Sequence, residues 1–166
     1  MKAKKIYKKL LAHFGPQGWW PIFDKKSGKC VYGPARSDNF EICIGAILTQ
    51  NTAWKNVGRA LCNLSGTNCL SPKKIINCKN LEKLIQPAGY YNQKAKKLRI
   101  FSKWWISMFS PLDKGELEGV ETSRHELLSL WGIGPETADS MLLYAFNKPI
   151  FVIDAYTKRL CKECGV

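Results

Sequence analysis

An all-α fold is the class this sequence predicts, and two observations carry it. Apolar residues recur at spacings of three and four along most of the chain. Several of these stretches also open with helix-start chemistry: Ser71-Pro72, Ser123 with Glu126, and Pro135 just after a glycine turn. Taken in order, Ile6, Leu10, Leu11 and Phe14 predict a short amphipathic helix with a lysine-rich outer face. Residues 15–37 are aromatic and rich in Gly and Pro, which predicts an irregular segment, too structureless for core and too aromatic for a linker. Phe40, Cys43, Ile44, Ile47 and Leu48 then mark a strongly buried helix, and Val57, Ala60, Leu61 and Leu64 repeat the pattern. Ser71-Pro72 opens another helix in cap-then-proline order, and Asn80 is a candidate cap for the next. Leu98, Phe101, Trp105 and Met108 line a longer helix after Asn92, followed by a loop through Pro111, Gly115 and Gly119. Ser123 and Glu126 form a capping-box signal ahead of Leu127, Leu128 and Leu130. Gly132 and Gly134 are expected to turn the backbone with positive φ. Pro135 then starts a helix carrying Ala138, Met141, Leu142 and Ala145 on one face.

Length and composition predict one domain spanning 1–166, with an N-terminal helix and aromatic loop over 1–38 and a helical body over 39–166. The 26 basic residues exceed the 13 acidic ones, for a net charge of +13, which favours an anionic partner. No long uncharged apolar stretch and no signal-peptide pattern is present, so nucleic acid fits that charge better than a membrane. Seven cysteines, an odd number, are scattered through helical patterns and read as reduced thiols of a cytoplasmic protein, nucleoid-associated if bacterial. His13 and His125 are too few and too separated for a zinc site or a Ser-His-Asp triad, so no metal site is expected.

The stretch Leu127 to Leu160 carries most of the chemistry. A tight Gly-Ile-Gly turn between two helices exposes free N–H groups at a helix N-terminus, a shape suited to a phosphate. Such a turn also joins core helices in many proteins, so it decides little alone. A short β-branched run then leads to a lone carboxylate, Asp154. As a residue before a helix it serves equally well as an N-cap.

With Pro149 between them, this hairpin and carboxylate resemble the helix-hairpin-helix (HhH-GPD) DNA glycosylases of the endonuclease III-like branch. Phe40 to Thr52 is similar to the family helix that ends in a polar wedge residue, and Gly89 to Leu98 to its second, hairpin-like loop. Trp19-Trp20-Pro21 and Glu136 bring the 3-methyladenine glycosylase III type nearest. The resemblance implies a helical barrel. It also implies that Asp154 stabilises positive charge developing on the sugar and orients the attacking water. Glu136 replaces the lysine with which bifunctional members form a Schiff base, which implies a monofunctional enzyme, and the resemblance places it with Asp154 among the catalytic residues, near the base pocket. Trp19, Trp20, Pro21 and Trp54 map onto the base pocket, where indole faces would stack on a cationic alkylated purine. A Trp-Trp pair without that resemblance reads as core packing. Gln50 and Tyr90 match the residues that fill the gap left by the extruded base, although Tyr90 fits a loop aromatic folded onto the core equally well. Gly132, Gly134 and Thr137 of the hairpin, together with Lys94, Lys158 and Arg159, are expected on DNA phosphates, as are Lys96, Lys97 and Arg99.

Cys161 and Cys164 have C-x2-C spacing, but the iron–sulfur cluster of many endonuclease III relatives needs further ligands, so no cluster is expected. The implied hydrolysis needs no cofactor, and a monovalent cation bridging hairpin carbonyls and phosphate is compatible with it. The expected partner is double-stranded DNA, bound by a monomer. Family members continue through further C-terminal helices, so relative to them the barrel is expected to be truncated. Two rivals stay open on sequence alone: a catalytically incomplete DNA-binding remnant, and a bifunctional glycosylase/lyase.

Overall fold

The computed structural model of the chain describes residues 2–16, 20, 22–24, 29–31, 38–109 and 122–165. Its body is helical. In chain order the elements are α1 (Lys2–Phe14), β1 (Ile22–Asp24), β2 (Lys29–Val31), α2 (Asn39–Leu48), α3 (Trp54–Gly66), α4 (Pro72–Asn77) and α5 (Leu81–Leu84). A 3-10 turn (Gln86–Ala88), α6 (Tyr91–Phe109), α7 (Arg124–Ser129), α8 (Pro135–Tyr144) and α9 (Ala155–Cys164) complete them. The segment expected to be irregular contains a small antiparallel pair, in which Ile22 faces Val31 and Phe23 faces Cys30. Trp19, Pro21 and all of the loop predicted at 110–122 except Thr122 lie outside the described residues.

Helix α2 is the centre of the fold. Its start is fixed by Asp38, whose side chain accepts from the Glu41 N–H at 3.0 Å. Every residue from Phe40 to Leu48 is buried, not only the predicted stripe, because α3, α6 and α8 all pack on it. Each fully buried Ile or Leu contributes roughly 1.5–3 kcal/mol relative to exposure, which outweighs the modest helix propensity of Phe, Ile and Cys here. A second apolar layer is aromatic: Phe40 stacks near Phe101 at 6.1 Å, and Trp105 sits between Phe40 (5.2 Å) and Phe109 (4.4 Å).

The predicted caps divide. Ser123 and Glu126 form a complete capping box at α7. Ser71 and Asn80 occupy N-cap positions without a side-chain capping bond. Helix α1 forms as expected, yet none of its residues is buried, and Tyr7 and Phe14 are 63% exposed.

Candidate nucleic-acid interface

Two turns and one hairpin meet at one end of α2. The first turn follows α2, where Gln50 is succeeded by Asn51 in a left-handed conformation (φ 51°). The second follows the 3-10 turn, where Gly89 (φ 67°) is succeeded by Tyr90, also left-handed at φ 44°. Tyr90 is 73% exposed, so it projects outward and does not fold back onto the core. The third piece is the α7–α8 hairpin. Gly132 takes φ 85° as expected, but Gly134 does not: at φ −92°, ψ 175° it is an extended N-cap for α8, with Pro135 in the first turn. Only one of the two glycines therefore needs its conformational freedom.

Side chains from α6 hold the hairpin against α2. Lys97 crosses directly over Gly132, where a Cβ would lie 2.5 Å from its Cε, and its ammonium donates to Gln50 Oε1 at 2.5 Å. Gln50 Nε2 donates in turn to the Gly132 carbonyl (3.0 Å) and to Thr137 Oγ1 (2.9 Å). Thr137 is thus buried beneath the hairpin, with its hydroxyl engaged inside the protein. Lys96 lies over the Trp131 ring at 4.4 Å, a cation–π contact at the tip of the same hairpin. Arg124 clamps the hairpin's two helices by a two-point bond to Asp139, Nε to Oδ1 at 2.7 Å and Nη2 to Oδ2 at 3.3 Å.

Of the four basic residues of α6 expected on phosphate, Lys94, Lys97 and Arg99 are engaged within the fold, whereas Lys96 is exposed. Lys94 is the clearest correction. It is 2% exposed, and its ammonium donates to the carbonyls of Leu48 (2.8 Å) and Ala88 (2.7 Å) and to Thr52 Oγ1 (2.8 Å). A phosphate cannot reach it. The sequence pattern misled because a lysine directly after a turn looks like a solvated helix face, whereas this one closes over unsatisfied carbonyls at the ends of two elements. Burial, and secondarily the charge of Lys97, lower its pKa to about 8. Burial also lowers the pKa of Lys97. Arg99 is committed to Glu82, at 2.5 and 3.2 Å, and that pairing lowers the Glu82 pKa.

Trp20 and Trp54 do come together, with ring centroids 5.2 Å apart, but at 89°. Two perpendicular rings leave no parallel gap, so they are not the two slices of a base sandwich as they stand. Trp20 is 5% exposed and also packs on Tyr144 at 5.4 Å. It approaches α2 so closely that a Cβ on Gly45 would sit 2.9 Å from its Nε1. Gly45 and Tyr144 thereby belong to this cluster, although neither was recognisable from the chain alone. Trp54 begins α3 and is only half-buried, so it is the better placed of the two to meet a ligand.

Asp154 is the N-cap of α9, accepting from the Thr157 N–H through Oδ1 at 2.6 Å. It is half-buried, and among the described residues Oδ2 has no hydrogen-bond partner. One oxygen fixes the carboxylate while the other stays available. Glu136 lies exposed in the first turn of α8. Lys158 and Arg159 are exposed on α9, with Arg159 also over Tyr156 at 5.4 Å. Cys161 and Cys164 are free thiols, and no group of three or more potential metal ligands occurs among the described residues.

Comparison with known proteins agrees with this geometry. Residues 44–166 match the HhH-GPD superfamily base excision DNA repair protein family. A Methanocaldococcus jannaschii protein named as a DNA repair glycosylase is 43% identical over 166 residues, covering 98% of this chain and 69% of that protein. Endonuclease III of Thermotoga maritima is 28% identical over 131 residues, 78% of this chain and 58% of its own length. The crystal structure of H. pylori 3-methyladenine DNA glycosylase (MagIII) bound to 1,N6-ethenoadenine superposes with a TM-score of 0.75 at 31% identity. That match covers 98% of this chain and 72% of the other. A non-covalent endonuclease III–DNA complex superposes with a TM-score of 0.72 at 22% identity, over 99% of this chain and 69% of the other. The helical fold expected from the sequence is the fold of these proteins.

Proposed function

Since the chain belongs to the HhH-GPD superfamily of base excision DNA repair proteins, a family of DNA glycosylases, we propose that it is a monofunctional glycosylase acting on alkylated purines in duplex DNA. The observation that carries this reading is the state of Asp154. N-glycosidic cleavage builds positive charge on the sugar, and a carboxylate with one oxygen pinned by a helix cap and the other available stabilises that charge preferentially in the transition state. Cap and catalyst are then the same residue. Oδ2 also serves to orient or deprotonate the attacking water. Glu136 supports the monofunctional assignment, because a carboxylate cannot form an imine with the sugar. The amines of Lys94 and Lys97 are both engaged in hydrogen bonds within the fold, which argues against either of these two as a nucleophile.

In this reading the Gly132–Gly134 turn and the α8 N-terminus receive a phosphate, and exposed Lys158 and Arg159 add to its neutralisation. Tyr90 wedges into the duplex, while Gln50 fills the space vacated by the base. Trp54, with Trp20 behind it, forms one wall of the base pocket. The reaction is a hydrolysis and needs no cofactor.

The test is to incubate the chain with duplexes carrying 3-methyladenine or 1,N6-ethenoadenine. Free base and an abasic strand that breaks only after alkali or heat are expected. Efficient borohydride trapping of a protein–DNA adduct would instead establish an imine-forming amine and replace this assignment with the bifunctional one.

A further inference from the structure

We infer that Lys94 is a positioning residue: its buried ammonium locks the turn carrying Gln50 to the turn carrying Tyr90, and so sets the spacing of the two residues that enter the duplex. The inference rests on the proposed insertion roles of Gln50 and Tyr90.

Each of the three ammonium hydrogens has one acceptor, and the acceptors come from different places. The Leu48 carbonyl, at 2.8 Å, ends α2 just before the Gln50 turn. The Ala88 carbonyl, at 2.7 Å, ends the 3-10 turn just before Gly89 and Tyr90. Thr52 Oγ1, at 2.8 Å, lies on the far side of the Gln50 turn. The Thr52 hydroxyl also donates to the Ala88 carbonyl, so the two turns are bonded directly as well as through the lysine. Removing an ammonium from water is costly unless it is fully hydrogen-bonded, and here it is.

Backbone geometry shows what this arrangement holds in place. Asn51 and Tyr90 are non-glycine residues at φ 51° and 44°, each directly after a residue of the proposed interface or its glycine. Such conformations persist only where the surroundings over-determine them. Both lie within two residues of an acceptor of the Lys94 ammonium. Tyr90 gains no burial for the fold, being 73% exposed, so holding it in a left-handed backbone serves its direction rather than core packing.

Two measurements test the inference. In the free protein, amide hydrogen exchange is compared between wild type and Lys94→Met. Loss of protection at both turns, around 50–52 and 88–91, is expected with α3 and α8 unchanged, and loosening of neither turn or of only one overturns the inference. On DNA, a duplex with 2-aminopurine beside the alkylated base reports extrusion as a fluorescence rise. Lys94→Met should reduce that rise, and kcat for base release, at least tenfold, while duplex binding and KM change less than about threefold. Wild-type amplitude in Lys94→Met overturns the inference. If Lys94→Met does not fold, Thr52→Val removes one of the three ammonium acceptors and the direct Thr52–Ala88 bond while keeping the charge. It should lower the fluorescence rise and Thr52→Ser should restore it, and a wild-type rise in Thr52→Val overturns the inference. Absence of any rise with wild type refutes the proposed function instead, and the exchange result still decides the role of Lys94.

Discussion

Lys97 and Gln50 are joined across the fold by a 2.5 Å hydrogen bond that determines which way the Gln50 amide faces. An ammonium only donates, so the oxygen must point at Lys97 and the NH2 group at the Gly132 carbonyl and Thr137. Gln50 therefore ties α2, α6 and the hairpin together before any ligand arrives. To pair with an orphaned base it must release at least part of this network. Lys97→Met should remove a charge-assisted bond and lower stability by about 1.5–3 kcal/mol in urea unfolding. It should also leave the Gln50 side chain more mobile.

The two glycines of the hairpin are predicted to behave differently. Gly132→Ala places a Cβ 2.5 Å from Lys97 Cε at φ 85°, and should cost roughly 2 kcal/mol or more. At Gly134 nothing lies within 4 Å of an added Cβ, so Gly134→Ala should stay within about 1 kcal/mol of wild type. If DNA phosphate approaches that backbone, the same variant should still weaken duplex binding. Equal destabilisation by the two substitutions would contradict the turn geometry.

The pKa of Lys94 offers a test of burial. Its folded value is about 8, set by burial and then by Lys97, against about 10.4 for an unfolded lysine. Between those values the folded state binds fewer protons than the unfolded one, so this group makes stability rise with pH across that window. An NMR titration of the Lys94 Cε resonance should show the low midpoint, and Lys97→Met should move it upward. An ordinary lysine midpoint would contradict the buried placement.

Salt dependence separates true phosphate-binding cations from internal ones. Duplex affinity should fall steeply as salt rises. Replacing both Lys158 and Arg159 by Ala should reduce the slope of log K against log salt by about 0.9 for each phosphate that is no longer neutralised. Lys94→Met should leave the slope unchanged, since no phosphate reaches a side chain that is 2% exposed. A slope shared by all variants would remove the phosphate-binding role assigned to α9.

Much of this was legible in the chain because local rules governed it. The capping box of Ser123 and Glu126, Pro135 at the start of α8, and the buried stripes of α2 and α3 follow from spacing and cap chemistry, which act within a few residues. What stayed hidden depends on distant partners. Lys94 bonds across 46 residues to Leu48, and Gln50 across 82 to Gly132, and no local pattern distinguishes such a lysine from a solvated one. Gly45 reads as an ordinary helix glycine until Trp20 is seen against it. The Arg124–Asp139 clamp spans the hairpin turn and is equally invisible to helical periodicity.

Single-turnover base release by wild type and Asp154→Asn tests the central claim most directly. Asparagine keeps an oxygen for the Thr157 N–H, so the α9 cap and the melting temperature should be nearly preserved. Duplex binding should persist, whereas release of 3-methyladenine should slow by on the order of a hundredfold or more, the expected loss of a major electrostatic contribution. Release by Asp154→Asn at the wild-type rate would contradict the catalytic role. Joint loss of folding and binding would leave Asp154 as a helix cap alone.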